Sequence, residues 1–209
     1  MAPLVHRFLY STFRGNVATR WGLDREDSSV PIYLSWLHED RHSVNATVNN
    51  KCGLVISTSY PWLAATPDGW VNDPTATPCQ GLVEFKNPYA YRNLTLEDAI
   101  TTKKCECLTI NNGHKQLKRA HSYYYQVQMA VFCTRREWCD FLICTTVDYH
   151  CERIEFDRSF CVLLLPKLRR FFFLAILPEL TLKHKPIREP LKWIPDADSW
   201  LEQVISLEE

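Results

Sequence analysis

The sequence predicts an α/β or α+β protein in which a mixed β-sheet is flanked by helices, and three observations carry that prediction. Short apolar runs separated by Pro, Asp, Asn and Gly crowd residues 52–87, which is the texture of neighbouring strands. A run with apolar side chains at helical spacing, Tyr124, Val127, Ala130 and Val131, follows them. Two more strand-like runs and a last apolar helix come next, so helices and strands alternate around one sheet.

Taken in order, ATRWGLDREDSSVPIYLSWLHEDRH carries Trp21, Val30, Tyr33, Leu34 and Leu37 at helical positions, while Pro31 predicts two helical pieces or one kinked helix. CGLVIST, WLAATPDGWV and GLVEFKN read as three strands. TLEDAI reads as a short helix capped by Thr95, and the polar CECLTINNGHKQLKR as a loop, expected to be mobile. SYYYQVQMAVFCTR is the long helix, EWCDFLICTT and ERIEFD are strands, and RSFCVLLLPKLRRFFFLAILPEL is a final helix complicated by Pro166. The acidic IPDADSWLEQVISLEE suggests one more amphipathic helix, capped near Asp196 or Asp198.

Composition bounds the function. No linker or repeat divides the 209 residues, and 46% apolar content with seven Trp, nine Tyr and ten Phe supplies a core, so one folded domain is expected. Twenty-four basic residues balance twenty-four acidic ones, so no global basic field announces a nucleic-acid partner, although local patches remain open. The longest apolar run, FFFLAIL, is far short of the ~20 residues a membrane helix needs, and the N-terminus lacks a signal-peptide layout. The expected setting is intracellular: the nucleus in a eukaryote, the cytoplasm otherwise. Nine cysteines, an odd number with no C-x-x-C pair, read as reduced thiols.

The chemistry is concentrated in PDG and VEFK. Side chains alternate along a strand, so Glu84 and Lys86 share one face while Val83 and Phe85 share the other. If the strand after Asp68 pairs antiparallel with the strand of Glu84, the two carboxylates meet, and they repel unless a cation sits between them. Mg²⁺ suits such a pair, with Mn²⁺ as a substitute and the main-chain carbonyl of Phe85 as a further hard ligand; it leaves room for phosphate oxygens. Lys86 would then orient or deprotonate the attacking water, or stabilise charge building on phosphorus. The plain alternative is an Asp-Gly turn beside a solvated ion pair.

PDG, fourteen residues and E-x-K resemble the PD-(D/E)xK nuclease motif. With RWGLDRED, Tyr33 and YYYQVQMAVFCTRREWCDFLICTT in the same order, the chain resembles the lambda exonuclease and YqaJ-like viral recombinase family from about Phe13 to Leu180. The resemblance implies a restriction-endonuclease-like core, a C-terminal extension over 181–209, and metal-dependent digestion of linear duplex DNA from the 5′ end. It assigns metal binding to Asp68 and Glu84 and catalysis to Lys86. It adds Glu26, in the setting Gly22-x-x-x-Glu26, for a second metal or its water, and Gln126, with Gln128 as fallback, for holding that water or Lys86. It also implies ring-shaped trimers, DNA ends as substrate and a single-strand annealing partner in recombination. The family's N-terminal Ser and Arg for the terminal phosphate have no match in MAPLVHRFLYSTF; Arg14 and Arg20 are the substitutes at hand.

Two other classes stay open. An inactive nuclease-like module would bind DNA or assemble without turnover, and a cluster-bearing endonuclease would use CEC and the later cysteines. Basic residues at 103–104, 114–119 and 134–136 flank the proposed site and are candidates for backbone phosphates, or a solvated face.

Overall fold

The computed structural model describes residues 2–12 and 14–181. The helix expected over 194–209 lies outside them. The chain divides into two compact units, one of residues 15–161 and the other of residues 1–14 with the chain from 162 onward.

The larger unit begins with α2 (Val17–Glu39), which follows the first helix α1 (Ala2–Tyr10). Asn16 starts α2 by accepting the Thr19 amide at 2.9 Å. Pro31 lies inside one continuous helix and does not divide it.

Five strands form the central sheet in the order β1 (Thr47–Asn49), β4 (Gly69–Asn72), β5 (Gln80–Lys86), β8 (Trp138–Cys144), β9 (Tyr149–Glu155). Only β5 and β8 run parallel; the other neighbours are antiparallel. The connection from β5 to β8 carries α3 (Leu96–Thr101), a hairpin of β6 (Leu108–Asn111) and β7 (His114–Leu117), and α4 (Ser122–Thr134). Parallel neighbours require such a crossover, and here it brings α4 onto one face of β5.

Both faces of the sheet are covered, which is why WCDFLIC is buried along its whole length. Leu82, Phe141 and Ile143 pack beneath Tyr124, Val127 and Val131 of α4. Val83, Phe85 and Leu142 pack beneath Tyr33, Trp36 and Leu37 of α2. Gly81 is required by this packing: a Cβ there would lie 2.3 Å from the ring of Trp138.

Several elements differ from the sequence reading. The expected strand in CGLVIST shrinks to β2 (Val55–Ile56), which pairs with β3 (Ala64–Ala65) in a separate small sheet, so WLAATPDGWV is broken into β3 and β4. The edge strand β1 was not anticipated, because TVN is only three residues of a polar stretch. The supposed loop after α3 is the β6–β7 hairpin, whose Asn112 and Gly113 both take positive φ, 50° and 79°, as a two-residue turn of this kind demands. The last helix is α5 (Arg158–Phe171), a π-turn segment (Phe172–Ile176) and α6 (Leu177–Thr181), with Pro166 inside α5.

In the smaller unit Val5, Ala175 and Ile176 form a core with Leu9 and Phe171, and the Tyr10 hydroxyl donates to Glu179 at 2.9 Å. Among the described residues no helix is long and apolar enough to cross a membrane.

Candidate active site

Asp68 is the residue immediately before β4, and Gly69 pairs with Val83, so the register carried one step further sets Asp68 beside Glu84. The strand-pairing expectation therefore holds. The Phe85 amide donates to Asp68 Oδ2 at 2.8 Å, fixing the acid to the end of β5. Gly69 has little room: a Cβ would meet a Val83 methyl at 2.7 Å and a Val48 methyl at 3.2 Å, so a larger residue beside Asp68 forces those side chains aside.

Glu84 and Lys86 point to the α4 face, as alternation requires, and form an ion pair in which Lys86 Nζ donates to Glu84 Oε1. Gln126, one turn into α4, donates its amide to the same oxygen, while the Lys86 ammonium stands 4.9 Å above the ring centre of Tyr123. Gln126 and Tyr123 reach this point together because residues three apart share a helix face. Gln128 turns elsewhere: it is fully buried and bridges the Glu155 carbonyl, at 2.9 Å, and the Asp157 amide, at 2.8 Å. The choice between the two glutamines was not decidable from spacing alone; Tyr123 was not singled out, although its i, i+3 relation to Gln126 was the available signal.

Glu26 approaches from α2, close enough that Asp68 and Lys86 both act on its charge. Asn87 secures α2 to the end of β5 by donating to Ser29 Oγ at 3.0 Å. Arg20 is exposed on α2 and Arg14 is exposed before it.

The electrostatics of the three acids agree. Burial, and then the proximity of Asp68, raises the Glu26 carboxyl. Burial raises Asp68 despite the Phe85 amide and Lys86, which pull it down. Burial pushes Glu84 up to about 7, with Asp68 adding to the rise and Lys86 opposing it. Burial works to lower the Lys86 ammonium, but Glu84 and Asp68 outweigh it, and the net shift is upward. The site is thus rich in acid and short of positive charge.

Among the described residues no group of three or more His, Cys, Asp or Glu side chains is arranged to enclose a metal ion. What Asp68 and Glu84 offer is an open pair of hard oxygens beside a cleft of about 620 Å³, lined by Gly22, Glu26, Lys86, Tyr89, Tyr91 and Tyr123 among others. An open pair of this kind fits a cation that takes one or two carboxylates and completes its shell from water and substrate. It lacks the closed set of nitrogen and sulfur ligands of a structural zinc site.

Similarity to known proteins bears on the family and the fold. The model of the YqaJ-like viral recombinase domain matches residues 5–137. The fold is similar to that of an alkaline exonuclease (LHK-Exo) from Laribacter hongkongensis, with a TM-score of 0.55 and 22% identity over 98% of this chain and 82% of that one. The same exonuclease in complex with dAMP gives a TM-score of 0.56 and 21% identity over 99% and 83%. No curated protein matches the sequence.

Proposed function

The chain belongs to the family of YqaJ-like viral recombinase domains, and on that premise we propose that it is a metal-dependent deoxyribonuclease that hydrolyses linear duplex DNA from the 5′ end. The observation that carries the reading is the convergence of Asp68, Glu84, Glu26 and Lys86 at the end of β5, beside one cleft. The fold's likeness to an alkaline exonuclease, one structure of which holds dAMP, supports it.

In this reading Mg²⁺, or Mn²⁺ in its place, is held by Asp68, Glu84 and the Phe85 carbonyl, with Glu26 available to a second ion. When bound, the cation supplies positive charge that polarises the scissile phosphate. Lys86 places its ammonium, steadied by Glu84, where it orients the attacking water and meets the charge growing on phosphorus. Gln126 donates to Glu84 Oε1 and so fixes the orientation of that carboxylate. The products carry 5′ phosphates. Duplex DNA ends as substrate, trimeric assembly and a single-strand annealing partner belong to the same proposal.

The test uses end-labelled linear duplex and closed circular DNA, each with Mg²⁺ or with EDTA. Metal-dependent loss of the linear DNA alone is the expected result. Cutting of both identifies an endonuclease, and cutting of neither replaces the enzyme with an inactive DNA-binding or assembly module.

A further inference from the structure

Beside the cleft, four side chains from two elements form a stack that the catalytic reading does not use. On α2 the Arg25 guanidinium lies 4.2 Å from the ring centre of Trp21. On the segment after β5 the Arg92 guanidinium lies 4.0 Å from the ring centre of Tyr89 and 5.7 Å from that of Trp21. The two rings meet edge to face at 5.9 Å. Tyr89 lines the cleft, as do Gly22 and Glu26, the chain neighbours of Trp21 and Arg25.

Arg92 is anchored through its backbone, whose carbonyl accepts from the Thr146 amide at 2.7 Å and the Thr146 hydroxyl at 2.8 Å. Arg25 is fixed through its own carbonyl, which receives the hydroxyls of Ser28 and Ser29. Among the described residues neither guanidinium is paired with a carboxylate; Arg92 spends one N–H on the Tyr89 carbonyl and Arg25 spends none. Two cations have therefore been ordered on aromatic faces without a counter-charge. Stacked guanidinium groups keep their N–H edges free, in the planar fork that matches a phosphate.

The ring faces themselves carry the arginines, so the stack presents N–H donors rather than a surface for a nucleobase. A base platform needs open aromatic faces. We propose that Arg25 and Arg92 are a paired grip on the phosphodiester backbone of the bound nucleic acid, holding the strand beside the carboxylate site without reading its sequence. The inference rests on the nuclease reading and adds to it the part of the substrate these residues touch.

The test is a salt titration of binding, with EDTA present so that DNA is not consumed, comparing the unaltered protein with Arg25→Gln/Arg92→Gln. Each lost phosphate contact removes about 0.9 from the slope of log K against log salt, so the double variant should lose roughly 1.8. Between 50 and 200 mM salt that amounts to a roughly tenfold smaller loss of affinity. Arg25→Lys/Arg92→Lys keeps the charges and should keep most of the slope, which separates phosphate contact from damage to the fold. The effect should be equal on duplexes of unrelated sequence, and with Mg²⁺ present it should appear in KM with kcat at saturation unchanged. An unaltered slope and KM in the glutamine variant overturns the grip while leaving the nuclease reading in place; a sequence-dependent loss assigns these residues to the bases instead. If the unaltered protein neither binds nor cuts DNA, the nuclease reading falls first and the grip with it.

Discussion

Asp73 and Asp140 are held around Arg153 on the α2 side of the sheet, whereas Asp68 and Glu84 meet at the end of β5, with Glu84 on the α4 side. Both groups are acids in or near the interior, yet they are partnered in opposite ways. Arg153 donates to Asp140 Oδ1 at 2.8 Å, to Asp140 Oδ2 at 2.9 Å and to Asp73 Oδ2 at 2.9 Å. Tyr33 donates to Asp140, and Ser43 and Thr75 to Asp73, so that every carboxylate oxygen of the pair has a donor. Asp68, by contrast, receives one backbone amide, and both donors to Glu84 crowd a single oxygen. A buried charge that is fully hydrogen-bonded holds a fold together. Acids left short of donors hold a place for something else.

Four measurements break or sharpen the contrast. Lys86→Met should lower kcat about 10²–10⁴-fold, the range for losing a positioned acid–base group, with little change in the thermal midpoint. The fold tolerates it because Glu84, already pushed up to about 7, takes a proton in place of the lost partner. Calorimetry beside a cleavage assay checks both halves; a collapse in stability would make Lys86 structural.

Arg153→Met should do the reverse. It strands Asp73 and Asp140 in the interior and should cost about 3–5 kcal/mol in a denaturant titration, without any specific effect on the chemistry of molecules that remain folded. A stable Arg153→Met protein would erase the distinction.

Acid should weaken the Arg153 group through Asp73. Burial raises that carboxyl, but Ser43, Thr75 and Arg153 outweigh it and hold it at about 2. A carboxyl depressed in the fold contributes stability above its unfolded pKa, and that contribution is lost as pH falls from about 4 to about 2. Roughly 2 kcal/mol is at stake, and Asp73→Asn should remove this part of the acid dependence. Tyr33→Phe, which deletes one donor to Asp140, is the mildest step, at about 1–2 kcal/mol in the same titration.

The grouping of Asp68, Glu84 and Lys86 was legible in the sequence because strand chemistry is local. Alternation in VEFK puts Glu84 and Lys86 on one face, and a single antiparallel pairing brings Asp68 across to them. The Arg153 group was not legible: Asp140 and Arg153 lie 13 residues apart on paired strands, but Asp73 stands 80 residues before Arg153, and only the finished sheet order brings it to them. The fold class, the long helices and strands β5 and β8 were readable from their period. The β6–β7 hairpin was missed because its polar strands outweighed Asn112-Gly113, the turn signal between them. Strand β1 has too few residues to show any period.

Helix α2 serves both groups of acids, with Glu26 toward one and Tyr33 in the other, and Pro31 stands between them. A proline has no amide hydrogen, so the carbonyl of Asp27 lacks its helical donor and the ladder misses one rung at that point. The missing rung falls between Glu26 and Tyr33, so a single helix meets both groups of acids with its hydrogen-bond ladder interrupted once between its two tasks.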